Sequence, residues 1–377
     1  GLHSQAALPA MEKLINGFQD MRAVLEKGHE GYRRGGDAWP AWWPAKVPTN
    51  DKATAVTEDF ASGWKRYCAR NPRLRDPKVL PLLVRQGVPQ ELRAEVWSHC
   101  LGLPTPSSPS SGSTAQEPGQ EELPASLLDV IEADVARTFP NDQEFQESGG
   151  PESLRQVLIS LAQQDKDLGY CQSLNFIAAN FLMILSGQEI ALAAVRQLIL
   201  KLQTRQWYTD GMRQLRGDTA VLEEMVRERL PAVHQVLTLH RFDFLFVTSK
   251  WFLCLFAATL TGEVLRRVWD VLLVDGIEAV FRISLSLFAL HQDAILQVKS
   301  EDGLIHMMQD WQPDFSPEVL IQNAYSPSLV GSIGRLELDQ RRRRAAEAIS
   351  SADARAEMRA TQLRRGGVRP ASVLSRQ

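Results

Sequence analysis

Apolar positions recur along most of this chain at spacings of three and four, the spacing of one face of an α-helix. Leu127, Leu128, Ile131 and Val135 share one such face, and Leu154, Val157, Leu158 and Leu161 form another. A helix is expected around Pro89 to Cys100, ended by Gly102 and Pro104. Ser173 to Leu185 is apolar on nearly every side, which marks a buried helix. Further helices are expected over Ala191–Leu202 and over the stretch carrying Val221, Leu222, Met225, Val226, Arg229 and Leu230, with Asp218 as its N-cap. The pattern continues as a buried helix over Phe244–Leu260 and a helix from Thr261 to Asp275-Gly276. Ile277–Val298 and Gly303–Trp311 complete the series. No run alternates with period two and no hairpin turn signal appears, so the expected class is all-α.

This helical body is expected to span residues 81–330. Residues 1–80 form an N-terminal extension, with an amphipathic stretch over Leu8–Leu25 and a cluster of Trp39, Trp42 and Trp43. Those rings fit either a tether packed on the main body or a partner-binding segment. Residues 104–124 are rich in Ser, Pro, Gly and Gln and bury too little apolar surface to offset the entropy of ordering, so they read as an inserted loop. Residues 331–377 form an Arg-rich tail. From Arg335 onward eleven Arg face five acids, a balance of +6 in a chain whose net charge is −3. The tail fits a charged helix or an unstructured segment, either solvated or meeting anionic lipid through the arginines at 341–344.

A near-neutral chain is not a nucleic-acid binder by bulk charge. Four cysteines without metal-ligand spacing in 377 residues fit a reducing compartment better than a disulfide scaffold. The longest apolar runs, such as Trp251–Leu260, are too short to cross a bilayer. The expected setting is cytoplasmic, with recruitment to endomembranes.

Ordinary enzyme signatures are missing: no phosphate-binding GxxxxGK[ST], no HExxH, no GxSxG and no kinase set. Cys171 has no recognisable base beside it and reads as a small core residue. Two polar clusters remain. In Ile131-Glu-Ala-Asp134-Val-Ala-Arg137-Thr-Phe-Pro140, Asp134 and Arg137 are three apart and can touch on one helix face, with Arg137 in the last turn before Pro140. By itself this fits a simple ion pair at a helix C-terminus. In Gly169-Tyr170-Cys171-Gln172-Ser173-Leu174-Asn175, a polar loop leads into the apolar helix, and by itself Gln172 or Ser173 fits a helix cap.

A third segment precedes both: Arg85-Gln-Gly87-Val-Pro89-Gln-Glu-Leu-Arg93-Ala-Glu-Val-Trp97. In order, R-x-G-[IV]-P-x-x-x-R-x-x-x-W, I-x-x-D-x-x-R-T-F-P and Y-x-Q-x-x-N resemble the three signature motifs of the TBC domain. Ser249-Lys250-Trp251-Phe252 and Arg267-Val268-Trp269-Asp270 resemble later landmarks of that family. The resemblance covers residues 82 to 325, and the short, growth-hormone-regulated TBC proteins are the most similar subgroup.

The resemblance implies an all-helical, V-shaped, two-lobed domain that activates a Rab-family small GTPase in its GTP-bound state. It implies Arg137 as an arginine finger, Gln172 as a glutamine finger, and Asp134 as the acid that orients Arg137. Arg93 and Trp97 would brace the site, with Tyr170 and Asn175 as supporting residues. No cofactor would belong to the chain itself, since GTP and Mg²⁺ belong to the partner. A non-catalytic Rab-binding scaffold that keeps the fold is the alternative. The family's third motif usually has Gly where this chain has Ser173 and Met where it has Leu174. The serine is expected to add a Cβ where the GTPase approaches.

Overall fold

In a computed structural model the chain divides into two compact units, Gly1–Asp76 and Pro77–Gln377. The structure describes residues 63–69, 74, 79–104, 122–185, 187–309, 315–327, 330–331 and 333–366. The Leu8–Leu25 stretch, the Trp39, Trp42 and Trp43 cluster, most of the 104–124 insertion and Trp311 lie outside the described residues. Of the first unit, residues 63–69 form one short helix, on which the Trp64 and Tyr67 rings meet edge to face at 6.0 Å.

The second unit is all-α among its described residues. Its helices are α1 (Leu80–Gln86), α2 (Gln90–Leu101), α3 (Ala125–Ala136), α4 (Gln143–Glu147), α5 (Gly150–Gln164), α6 (Leu174–Ile184), α7 (Gln188–Leu202) and α8 (Arg213–Arg229). They continue as α9 (Pro231–Leu239), α10 (Leu245–Trp251), α11 (Gly262–Asp275), α12 (Ile277–Leu290), α13 (Gln292–Leu296), α14 (Glu301–Gln309), α15 (Pro317–Tyr325) and α16 (Arg335–Gly366). Two short 3₁₀ turns, Arg205–Trp207 and Asp210–Met212, lead into α8. No described helix is long and apolar enough to cross a membrane.

The periodic faces are the buried faces. Leu154, Val157, Leu158 and Leu161 of α5 are sealed in the core, where α5 packs against α3, α6 and α7. Gly102 ends α2 in the left-handed region at φ 67°, its N–H bonded back to the last turn. Gly150 is required for a different reason: a Cβ there would lie 2.4 Å from the Phe145 carbonyl oxygen and against its ring, so α4 and α5 could not approach as they do.

Four expected elements differ in the structure. The helix expected over Phe244–Leu260 stops at Trp251, and the chain then turns through Leu255 (φ 45°) and Phe256 (φ 66°). The run 252–257 is buried throughout, and a fully buried apolar run carries no helical period to read. Side chains from elsewhere satisfy its backbone: Trp269 Nε1 donates to the Leu255 carbonyl at 2.9 Å and the Tyr208 hydroxyl to that of Leu253 at 3.1 Å. The Ile277–Val298 stretch is two helices that meet at His291, whose ring Nδ1 lies 2.9 Å from the Leu287 carbonyl oxygen. Helix α3 ends at Ala136, so Arg137 is its C-cap rather than part of its last turn.

Asp218 is not an N-cap. Helix α8 begins five residues earlier, and Asp218 is buried in it. Its carboxylate takes two bonds from Arg342 of α16, at 2.8 and 2.9 Å, and one from Trp207 Nε1 at 2.7 Å. The Arg-rich segment is therefore a helix laid along α8. Arg341 reaches Glu224, Glu228 and Glu337, while Arg343 and Arg344 face solvent. Burial raises the Asp218 carboxyl, opposed by Arg342 and by the Trp207 bond. Removing one partner of such a pair leaves the other charge uncompensated. Asp218→Ala is expected to lower stability by about 3–5 kcal/mol, read as a shift of the urea midpoint.

Candidate functional site

The site is built where α3 ends and where α6 begins. Past Ala136 the chain leaves the helix through Arg137 (φ −98°, ψ 0°) and reverses at Phe139, which sits at φ 44° directly before Pro140. Proline disfavours the right-handed helical conformation in the residue before it, so the helix does not continue through Phe139. The Phe139 ring packs edge-on against Phe145 of α4 and Phe176 of α6, at 5.9 and 5.8 Å, and anchors the turn at both sides.

Asp134, in the last turn of α3, is the polar centre of the site. Its carboxylate is 4% exposed and pairs with Arg137 Nη2 at 2.6 Å; the Arg137 side chain is 33% exposed. The Tyr170 hydroxyl donates to the other carboxylate oxygen. Burial pushes the Asp134 carboxyl up, and the Tyr170 bond and the Arg137 charge oppose it. Burial and the same carboxylate hold the Tyr170 phenol far above its ordinary range, so it stays a donor.

Gln172 approaches Arg137 from the second segment. With its carboxamide turned to meet donors, Oε1 accepts from both Arg137 terminal nitrogens, from Nη1 at 2.9 Å. Gln172, like Arg137, is half-buried rather than sealed. Thus Asp134, Arg137, Tyr170 and Gln172 form one cluster, which the two separate sequence segments did not by themselves require.

The next residue, Ser173, has φ 105° and ψ −28°, a conformation that favours glycine. Its side chain makes no cap bond to α6 and the residue is buried. The serine that stands in place of glycine is therefore a strained, 2% exposed loop residue. The loop is tied at its other end by Asp165, which takes 2.6 and 2.7 Å bonds from Arg205 and caps the Leu168 N–H at 3.1 Å. Those bonds hold the Asp165 carboxyl well below the usual carboxylate range, at about 2.

Arg93 and Trp97 of α2 belong to a different buried cluster. Arg93 bonds both carboxylate oxygens of Asp270 on α11, at 3.1 and 3.2 Å, and reaches Glu263 at 2.6 Å. Trp97 Nε1 donates to Asp270 at 2.8 Å, and Arg267 completes the shell at 3.3 Å. The Trp97 ring stacks on Trp269 at 5.7 Å, and both meet Phe181 of α6 edge-on. The first motif therefore touches the helix that starts at the Gln172 loop through Phe181. The Arg93 partners Asp270 and Glu263 were not legible as such, although Asp270 closes the Arg267-Val268-Trp269-Asp270 landmark. Thr138, inside the I-x-x-D-x-x-R-T-F-P segment but not singled out there, is wholly buried and donates its hydroxyl to the Asp134 carbonyl at 2.6 Å. Cys171 lies in the loop itself and Cys254 is buried, and burial pushes both thiols up to about 12. That is no setting for a thiolate nucleophile. Among the described residues no group of three His, Cys, Asp or Glu side chains is placed to hold a metal.

This helical fold with these motifs is that of a TBC domain: the sequence model of the Rab-GTPase-TBC domain family matches residues 90–296, more than half of the chain, and the chain belongs to that family. It is similar to growth hormone-regulated TBC protein 1 of Xenopus laevis, 29% identical over 240 residues that make up 63% of this chain and 70% of that one. Growth hormone-regulated TBC protein 6 of Caenorhabditis elegans is 32% identical over 247 residues, 65% of this chain and 71% of its own. Among solved structures, the Chlamydomonas flagellar RabGAP TBC domain superposes with a TM-score of 0.59 at 23% identity, covering 74% of this chain and 94% of that one.

Two measurements check the local reading. Ser173→Gly is expected to raise stability by about 1 kcal/mol, because the strain of a non-glycine residue at this φ exceeds the extra chain entropy of glycine. Differential chemical denaturation reads it. The Asp165 carboxyl is depressed in the folded state, so its contribution is complete above about pH 4 and is lost as pH falls toward about 2. Asp165→Asn is expected to flatten that part of the acid-unfolding curve.

Proposed function

We infer that this chain accelerates GTP hydrolysis by a Rab-family GTPase, supplying Arg137 and Gln172 in trans. The observation that carries the reading is their adjacency: two side chains from separate segments meet tip to tip, both part-exposed, over the buried Asp134. Family membership supports an activator of a GTPase rather than a GTPase, and the sequence has no phosphate-binding loop of its own. GTP and Mg²⁺ belong to the partner in this reading.

The chemistry suits the residue types. As the phosphoryl group transfers, charge spreads over its oxygens and the leaving group. A guanidinium presents fixed donors and keeps its charge, so it stabilises that distribution better than an ammonium. The attacking water needs a neighbour that both accepts and donates, and a carboxamide does both. Asp134 holds the Arg137 side chain in one region, which reduces the entropy lost on engagement. In the free protein Arg137 and Gln172 bind one another; on engagement those bonds are exchanged for bonds to the nucleotide and the water.

The test is multiple-turnover GTP hydrolysis with the full chain against a panel of GTP-loaded Rab proteins. Arg137→Lys keeps a positive charge beside Asp134 and is expected to lower kcat on the order of 10³-fold. Gln172→Ala is expected to cost about 10²-fold. Both variants are expected to keep the helical circular dichroism of the parent. Binding of a Rab without acceleration by the parent chain would instead support a non-catalytic scaffold.

A further inference from the structure

Asn175 lies on the first turn of α6 and is wholly buried. Its carboxamide is used at both ends. Oδ1 accepts the backbone N–H of Ser173 at 3.1 Å. Nδ2 donates to Thr138 Oγ1 at 2.7 Å, with the Asp134 carbonyl oxygen at 3.5 Å. Thr138 in turn donates its hydroxyl proton to that carbonyl at 2.6 Å. Ser173 is the residue after Gln172 and Thr138 is the residue after Arg137. One buried amide therefore binds the chain immediately beyond each of the two side chains assigned above.

We propose that Asn175 is a positioning residue that, with the Thr138 hydroxyl, fixes the separation of the Arg137 turn and the Gln172 loop. The proposal rests on the reading of Arg137 and Gln172 as a pair acting in trans. Only an amide serves here. The loop end offers a donor and the turn end an acceptor, and a carboxamide presents one acceptor and one donor on a rigid plane. The link also holds Ser173 at φ 105°, where its N–H points at Oδ1 and not into solvent. Burial makes the arrangement all-or-none, because either partner left alone is an unsatisfied polar group in the core. Catalysis by positioned groups is sensitive to displacements of about 1 Å, which cost on the order of 10²-fold. A clamp one residue away from each group is placed to control such displacements.

The experiment uses the full chain with whichever GTP-loaded Rab the parent accelerates best, and it adds amide hydrogen exchange of residues 169–173 in the absence of any Rab. Asn175→Ala removes both bonds and carries the greater risk of unfolding, so Thr138→Val, which deletes only the hydroxyl, is the principal variant. Thr138→Ser, which keeps it, is the conservative control. Thr138→Val is expected to lower kcat about 10-fold or more with KM within about 2-fold, and Thr138→Ser to stay near the parent. Exchange at 169–173 is expected to rise about 10-fold in Thr138→Val and not in Thr138→Ser. Adding Asn175→Ala to Thr138→Val is expected to cost no more than Asn175→Ala alone, since both cut the same link. Parent-like kcat in a folded Thr138→Val chain would overturn the proposal, as would equal losses in Thr138→Ser and Thr138→Val. If the parent accelerates no Rab, the activator reading fails while the exchange arm still decides the clamp: unchanged exchange in Thr138→Val overturns it, and faster exchange upholds the link.

Discussion

Asp134 is a carboxylate almost wholly removed from water, and a buried charge persists only where its lone pairs are met. Arg137 and the Tyr170 hydroxyl meet them, one from its own segment and one from 36 residues away. Its backbone carbonyl receives Thr138 and lies beside Asn175. The Tyr170, Gln172 and Asn175 ties between the end of α3 and the start of α6 run to this residue, Arg137 and Thr138. The two segments are joined because the alternative is an unpaired ion in the core.

A second buried carboxylate organises the first motif in the same way. Asp270 sits among Arg93, Arg267 and Trp97, and the rings of Trp97, Trp269 and Phe181 pack around it. Burial raises this carboxyl, while the two guanidinium charges and the Trp97 bond lower it. The same geometry recurs at Asp218, with Arg342 and Trp207. Asp134, Asp270 and Asp218 are thus each a buried acid that takes an arginine and a ring-borne N–H or O–H donor. Such a set spends the acceptor capacity of a carboxylate in fixed directions, which apolar packing alone does not do.

Part of the backbone strain in the fold lies next to these ties. Phe139, Ser173, Leu255 and Phe256 all have positive φ without being glycine. Phe139 follows Arg137 by two residues and Ser173 follows Gln172 by one. Sharp reversals there let each side chain leave its helix and meet the other, and the surrounding packing holds conformations that an isolated chain would avoid.

The helical faces of α3, α5 and α11 were legible in the sequence because one side of each meets water and the other does not, and that contrast sets the period. The stops at Gly102 and Gly276 were legible because caps at positive φ favour glycine. The ordered motifs carried the family, and the three-residue spacing of Asp134 and Arg137 carried their contact. The end of α10 was not legible, since a run buried on every side has no contrast to read. Nor was the role of Asp218, since nothing near it in sequence names Arg342, 124 residues away. The sequence supplied the residue types of the site and their order. The meeting of Arg137 with Gln172, and of Asn175 with both loops, was decided by how α3, α5 and α6 pack, because contacts between distant segments follow from the burial of whole helix faces and not from any local spacing.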